Sequence, residues 1–166
     1  MIYPEYYHSY VKLVSNENKL SEELEIQLYE AIKFVQNIPM DKFDFAYAPG
    51  KWTIKEILQH LIDCERIFAY RALSIARGEQ QALPLFDENL YANTVSENAK
   101  KRHLKSILED WTLLRQSNLQ LLKSLSADDL NKVGNIGENE IAVGAIFYIL
   151  LGHQLHHFNV FKERYL

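Results

Sequence analysis

The sequence predicts an all-α fold, a bundle of four long helices of the up-down type. Three observations carry that expectation. Six Gly and four Pro in 166 residues are roughly half the usual density of turn-making residues, so the elements are few and long. Apolar residues recur at helical spacing in four stretches. No two segments offer a persuasive strand pair, and long helices joined by loops close most simply as a bundle, although the longer loops permit a less regular connection order.

The first long helix is read from Leu24, Leu28, Ala31, Ile32 and Val35, with Ser21 as its N-cap and Pro39 barring continuation. A short helix precedes it around Tyr6 to Val14. Residues 41–50, DKFDFAYAPG, alternate Phe43, Phe45 and Tyr47 in strand fashion but lack a partner. They are expected as an extended loop whose aromatics tuck over the bundle. Thr53 to Glu56 is a capping box, in which hydroxyl and carboxylate each satisfy an orphan backbone N–H, and it opens a second helix running to about Gly78.

The stretch EQQALPLFDENLYANT reads as a turn-rich connection to a third helix that starts near Ser96. Its apolar stripe includes Leu104, Ile107, Leu108, Trp111 and Leu114, with a polar interruption at Asn118 before Leu121 and Leu122. Ser126 to Asp129 caps a brief helical turn, VGNIGENE is a Gly-containing loop, and the last helix covers about residues 140–163, capped by Asn139 or not at all.

Composition bounds the rest. The length predicts a single domain over residues 1–166, and 48% hydrophobic residues exclude a disordered chain. Eighteen Lys and Arg against 22 Asp and Glu give a net charge of −4 with no basic block, which argues against a nucleic-acid partner. A single cysteine, Cys64, cannot close an internal disulfide, so a reducing cytoplasm is the simpler location. MIYPEYYHSYVK is no signal peptide. The longest apolar run, Ile141 to Gly152, is shorter than the roughly 20 residues that cross a bilayer, so no membrane is expected. Ten Tyr, eight Phe and two Trp leave amphipathic surface for a homodimer interface.

The chemical signal lies in the histidines. His153, His156 and His157 fall within GHQLHHFNVF of the last helix. At about 100° per residue His153 and His157 stand about 40° apart on one face, able to converge on one cation, whereas His156 points away. His60 interrupts the apolar pattern of the second helix, and a ring buried there needs a partner. Together the three would leave open positions for water or substrate, as catalytic sites do. The competing reading is a core hydrogen-bonding pair or surface decoration. His8 and His103 read as solvated. Cys64 shares the face of His60 but also fits a small core residue, and Glu56 is explained by its capping box. Asp63 would orient an imidazole or pair with Arg66. Arg71 would receive an anionic substrate group or form a surface salt bridge. Asp87 and Tyr91 read as a helix cap and an aromatic loop anchor.

These residues also carry a resemblance. KWTIKEILQHLIDCERIFAYRALSIARGE, LPLFDENLY and GHQLHHFNVFKERY, taken in order, resemble the DinB/YfiT-like superfamily of DNA-damage-inducible proteins and metal-dependent hydrolases, from about Trp52 to Tyr165. The resemblance implies a four-helix bundle with a divalent metal, nickel or zinc, between the second and fourth helices, held by His60, His153 and His157. It implies either a hydrolase that activates water or an S-transferase that uses a low-molecular-weight thiol as co-substrate, acting on a small molecule. Asp63 and Arg71 are the candidate catalytic residues. The alternative is a non-enzymatic bundle that binds a metal or small ligand. Where the family commonly opens its last helix with a Thr-Val pair, this chain has Glu140-Ile-Ala-Val143.

Overall fold

The computed structural model describes residues 1–15 and 17–166. Seven α-helices are present among them: α1 (His8–Val11), α2 (Leu20–Gln36), α3 (Ile54–Ala76), α4 (Glu88–Lys101), α5 (Leu104–Lys123), α6 (Ala127–Asn131) and α7 (Val143–Arg164). The four long ones, α2, α3, α5 and α7, form a four-helix bundle. Its connection order is the less regular one. Both α2 and α3 pack on α5 and α7, so these two chain neighbours stand across the diagonal from each other.

The core divides into two apolar halves. One gathers Phe68, Ile75, Phe147 and Ile149; the other gathers Phe43, Leu58, Trp111, Phe158 and Phe161. Between them each long helix contributes polar side chains at one level: Gln27 from α2, Glu65 from α3, Arg115 and Asn118 from α5, and Gln154 from α7. Arg115 Nε donates to Glu65 Oε1 at 2.7 Å, and its Nη2 reaches both Glu65 Oε2 at 2.9 Å and Gln154 Oε1 at 2.8 Å. Trp111 and Asn118 also donate to Glu65, and Gln154 donates to the carbonyl of Gln27. Buried charges are tolerable only when paired in this way. Asn118, which breaks the apolar stripe of α5, belongs to this layer.

Thr53 opens α3 with the expected capping box, Thr53 N donating to Glu56 Oε2 at 2.7 Å and Glu56 N to Thr53 Oγ1 at 3.3 Å. Ser96 Oγ also donates to Glu56, tying α4 across the start of α3. Gly78, at φ +92°, lets the chain turn away where α3 ends.

Several expectations are corrected. The first long helix begins at Leu20 with Lys19 as N-cap, so Ser21 lies inside its first turn. The helix expected near Ser96 is two: α4 starts at Glu88, where Asp87 accepts from the amides of Asn89 and Leu90, and the chain breaks at Arg102 before α5. Only Ala92 and Ala99 of α4 are buried, too few to print an apolar stripe on the sequence. VGNIGENE is no loop but an antiparallel hairpin of β1 (Val133–Ile136) and β2 (Asn139–Ala142). Leu83 N donates to Asn135 O at 2.8 Å and Gly137 N to Leu83 O at 2.9 Å, so the chain after α3 docks beside β1. The last helix therefore starts at Val143, three residues later than expected, with no side-chain cap. In the 41–50 stretch, Phe43 is buried, but Phe45 and Tyr47 stay exposed, each ring nearly perpendicular to that of Tyr165.

Candidate metal centre

The packing of α3 on α7 brings His60, His153 and His157 together at the edge of the polar layer. His60 Nε2 and His157 Nε2 each lie 3.1 Å from His153 Nε2. A neutral imidazole nitrogen has one in-plane lone pair or one proton, so His153 Nε2 cannot make two good hydrogen bonds at once. Three converging nitrogens are satisfied together by a cation. With bonds of about 2.0–2.1 Å, nitrogens 3.1 Å apart subtend about 100° at a shared ion, an angle that tetrahedral and octahedral sites accept.

Cys64, one turn after His60, adds a fourth donor. Its Sγ is 3.5 Å from His60 Nδ1, and the donor atoms of His60, Cys64 and His153 all lie within 4.8 Å of one another. His157 joins the group through His153. Its Nδ1 is buried with no protein partner among the described residues.

Burial sets the protonation of the group. It pushes the His60 imidazole down to about 4 and that of His157 to about 3, and holds His153 well below its ordinary value with help from the neighbouring rings. All three are neutral at physiological pH, the form in which imidazole binds metals. Burial, with Glu88 and Asp63 following, pushes the Cys64 thiol up. It stays protonated unless a cation displaces the proton.

A cavity of about 240 Å³ opens onto this cluster, walled by Tyr6, Tyr7, Tyr10, Trp52, Phe68 and Phe86, with Glu88 also at its wall. Tyr10 stacks obliquely 5.3 Å from the His153 ring and 5.3 Å from that of His156, and Trp52 lies 4.9 Å from His60. A second cavity, about 290 Å³, lies beside it and includes Tyr47, Lys51 and Asn89. Trp52, His156 and His157 line both.

Residues 23–161 match the family model of the DinB superfamily. The chain belongs to the DinB superfamily. Over 119 residues, 70% of this chain and 67% of the other, it is 27% identical to a protein of Oceanobacillus iheyensis whose name assigns it provisionally as a metal-dependent hydrolase. Its fold is similar to that of YfiT from Bacillus subtilis, described as "a probable metal-dependent hydrolase with an unusual four-helix bundle topology", with a TM-score of 0.72 and 18% identity over 98% of this chain and 87% of that one.

The remaining expected residues of this DinB protein are placed elsewhere. Asp63 turns from His60 and accepts from Gln59 at 3.0 Å and Arg66 at 3.4 Å, within a surface network that includes Asp110 and Arg102. Arg71 is no surface salt-bridge partner: it is 2% exposed, donates to Pro84 O at 2.7 Å and lies over the Phe86 ring. It braces the loop that carries Phe86. His8 and His103 are exposed, as expected.

Sequence reasoning missed the roof of the site. Tyr6, Tyr7 and Tyr10 belong to residues 1–22, outside the stretch that matches the superfamily. The signal was the YYHSY cluster, whose Tyr6, Tyr7 and Tyr10 share a helix face at i, i+3 and i, i+4 spacing, and what anchors it is Gly152: a Cβ there would overlap the carbonyl of Tyr10. The glycine lets α1 lie directly against α7.

Proposed function

We propose that this DinB protein is a metal-dependent hydrolase whose divalent ion is held by His60, His153 and His157, with Cys64 beside them. The observation that carries the reading is His153 Nε2, in contact with two other imidazole nitrogens at 3.1 Å. A divalent ion held there supplies Lewis acidity, lowering the pKa of water towards about 7. The names of the relatives support the same reading.

The chain's own residues do the rest. The aromatic wall excludes bulk water and positions a small substrate, and the polar layer behind His153 fixes the ring through the backbone of α7. His156 takes the proton. It is half-buried, lines both cavities, and is lowered by burial from its ordinary value against an opposing pull from Glu163, so it is neutral at pH 7 and free to accept.

One observation favours a second reading, transfer to a low-molecular-weight thiol. Two cavities meet at His156 and His157, so two molecules can approach from separate sides.

The test is elemental analysis of protein purified without a His tag, after supplementation with zinc or nickel. About one divalent ion per chain is expected, with strong loss in His157→Ala because a chelate loses one of its ligands. Trace metal in the wild type would sink the reading. Turnover of ester and amide panels without thiol identifies the hydrolase, turnover only with thiol the transferase, and a loaded but inert protein the binding module. His156→Gln is expected to keep its metal and lose about 10²-fold in kcat, the contribution of a positioned base.

A further inference from the structure

We infer that the cavity over the histidines is an aromatic cage for an organic cation, so that the substrate carries an alkylated or quaternary ammonium group. The proposal rests on reading this cavity as the substrate site and adds the substrate's class.

Three observations carry it. Tyr6, Tyr7, Tyr10, Trp52 and Phe68 present five aromatic side chains to one cavity of about 240 Å³, the size of a small metabolite. Aromatic faces carry negative charge and attract weakly hydrated cations, quaternary ammonium above all. A sixth ring, Phe86, already lies against a cation, since the Arg71 guanidinium is 5.3 Å from its centroid.

The charge lining the cavity points the same way. Glu88 is its one carboxylate, exposed and engaged in no ion pair among the described residues, while no Lys or Arg lines the cavity. Glu88 is therefore the charged side chain that lines the cavity itself, the Arg71 guanidinium lying against the Phe86 ring outside the lining. In the neighbouring cavity the charged residue is Lys51 instead. The two sides of Trp52 therefore sort ligands by sign: a cationic group sits against the tyrosines and Glu88, and an anionic or neutral part lies towards Lys51.

The third observation concerns where the rings come from. Tyr6, Tyr7 and Tyr10 lie on the segment before residue 23, where the superfamily match begins. The histidines lie within the matched stretch, and three of the cage rings lie on the segment before it, clamped against Gly152.

The experiment is calorimetric titration of the full chain, zinc-loaded and metal-stripped, with choline and with 3,3-dimethylbutan-1-ol, which has the same shape and no charge. Choline is expected to bind saturably and about tenfold more tightly than the alcohol. Tyr10→Phe, which keeps the ring, is expected to retain binding, whereas Tyr10→Leu and Glu88→Gln each weaken it about three- to tenfold. Equal affinity for the two probes, or no choline binding in either form, overturns the cage, as does equal loss in Tyr10→Phe and Tyr10→Leu. If Tyr10→Leu fails to fold, the exposed Glu88→Gln and the charge comparison still decide. Zinc content measured on the same samples keeps a failure of the metal reading separate, because choline binding is scored with and without the ion.

Discussion

At the scale of the residue, the centre turns on which atoms face His153 Nε2. Two imidazole nitrogens do, and the Cys64 thiol stands behind one of them. The protonation states make the ligand set measurable. Burial depresses His60 and His157 to about 4 and 3 and His153 well below its ordinary value, so at pH 7.5 the folded protein has no proton to lose from these rings when a metal enters. The Cys64 thiol is shifted the other way, chiefly by burial, and must give up its proton to bind. Zinc titrations in buffers of different ionisation enthalpy should therefore show about one proton fewer released by Cys64→Ser than by wild type if sulfur is a ligand. Equal release in both leaves a centre of imidazoles alone. The sign also fixes the metal-free protein's response to acid. Unfolded imidazoles titrate near 6.5, so stability contributed by the neutral rings is complete above that pH and falls as pH drops towards about 4, visible as a falling urea midpoint.

At the scale of the element, α3 carries the site because its start is pinned. Thr53 is 6% exposed and its hydroxyl accepts the Glu56 amide, while Glu56 in turn receives Ser96 from α4. Thr53→Ala is expected to cost about 1 kcal/mol in chemical denaturation, and a change below about 0.3 kcal/mol would show that Ser96 and Lys100, whose ammonium lies 3.8 Å from the Glu56 carboxylate, hold the helix start without the hydroxyl. Elements of this kind were legible in the sequence. The capping box, the stripes of α3 and α5 and the i, i+4 spacing of His153 and His157 all depend on local periodicity, which survives in a list of residues. What escaped was set by neighbours distant in the chain. α4 buries only two alanines and has no stripe to read. The hairpin was hidden because its strands are four residues each, yet Gly137-Glu138 between them, with Gly137 at φ +57°, is the two-residue loop that marks a hairpin. Asp63 and Arg71 sit where helical spacing put them, but Gln59, Arg66 and the Pro84 carbonyl decide where their side chains point.

At the scale of the molecule, the polar layer between the two apolar halves joins α3, α5 and α7 through the Glu65 carboxylate and the Arg115 guanidinium, and α2 through Gln154. Arg115 is 1% exposed, and removing it strands a buried carboxylate. Arg115→Ala is expected to destabilise by about 3–5 kcal/mol, read from urea unfolding. A loss under about 1 kcal/mol would mean that water replaces the guanidinium. Arg115→Met, which fills the space but leaves Glu65 charged, should be rescued in part by Glu65→Gln. No helix among the described residues is long and apolar enough to cross a membrane. The diagonal placement of α2 and α3 has a consequence for synthesis. A chain delivered from its N-terminus cannot close α2 onto α3 as the two emerge, because each packs against α5 and α7 instead. Two of the three histidines and the glycine that seats the tyrosine roof also lie on α7. Of the bundle's four long helices α7 is made last, so α5 can pack on α2 and α3 before it exists, whereas the histidine cluster and the seat of the tyrosines form only when α7 joins them.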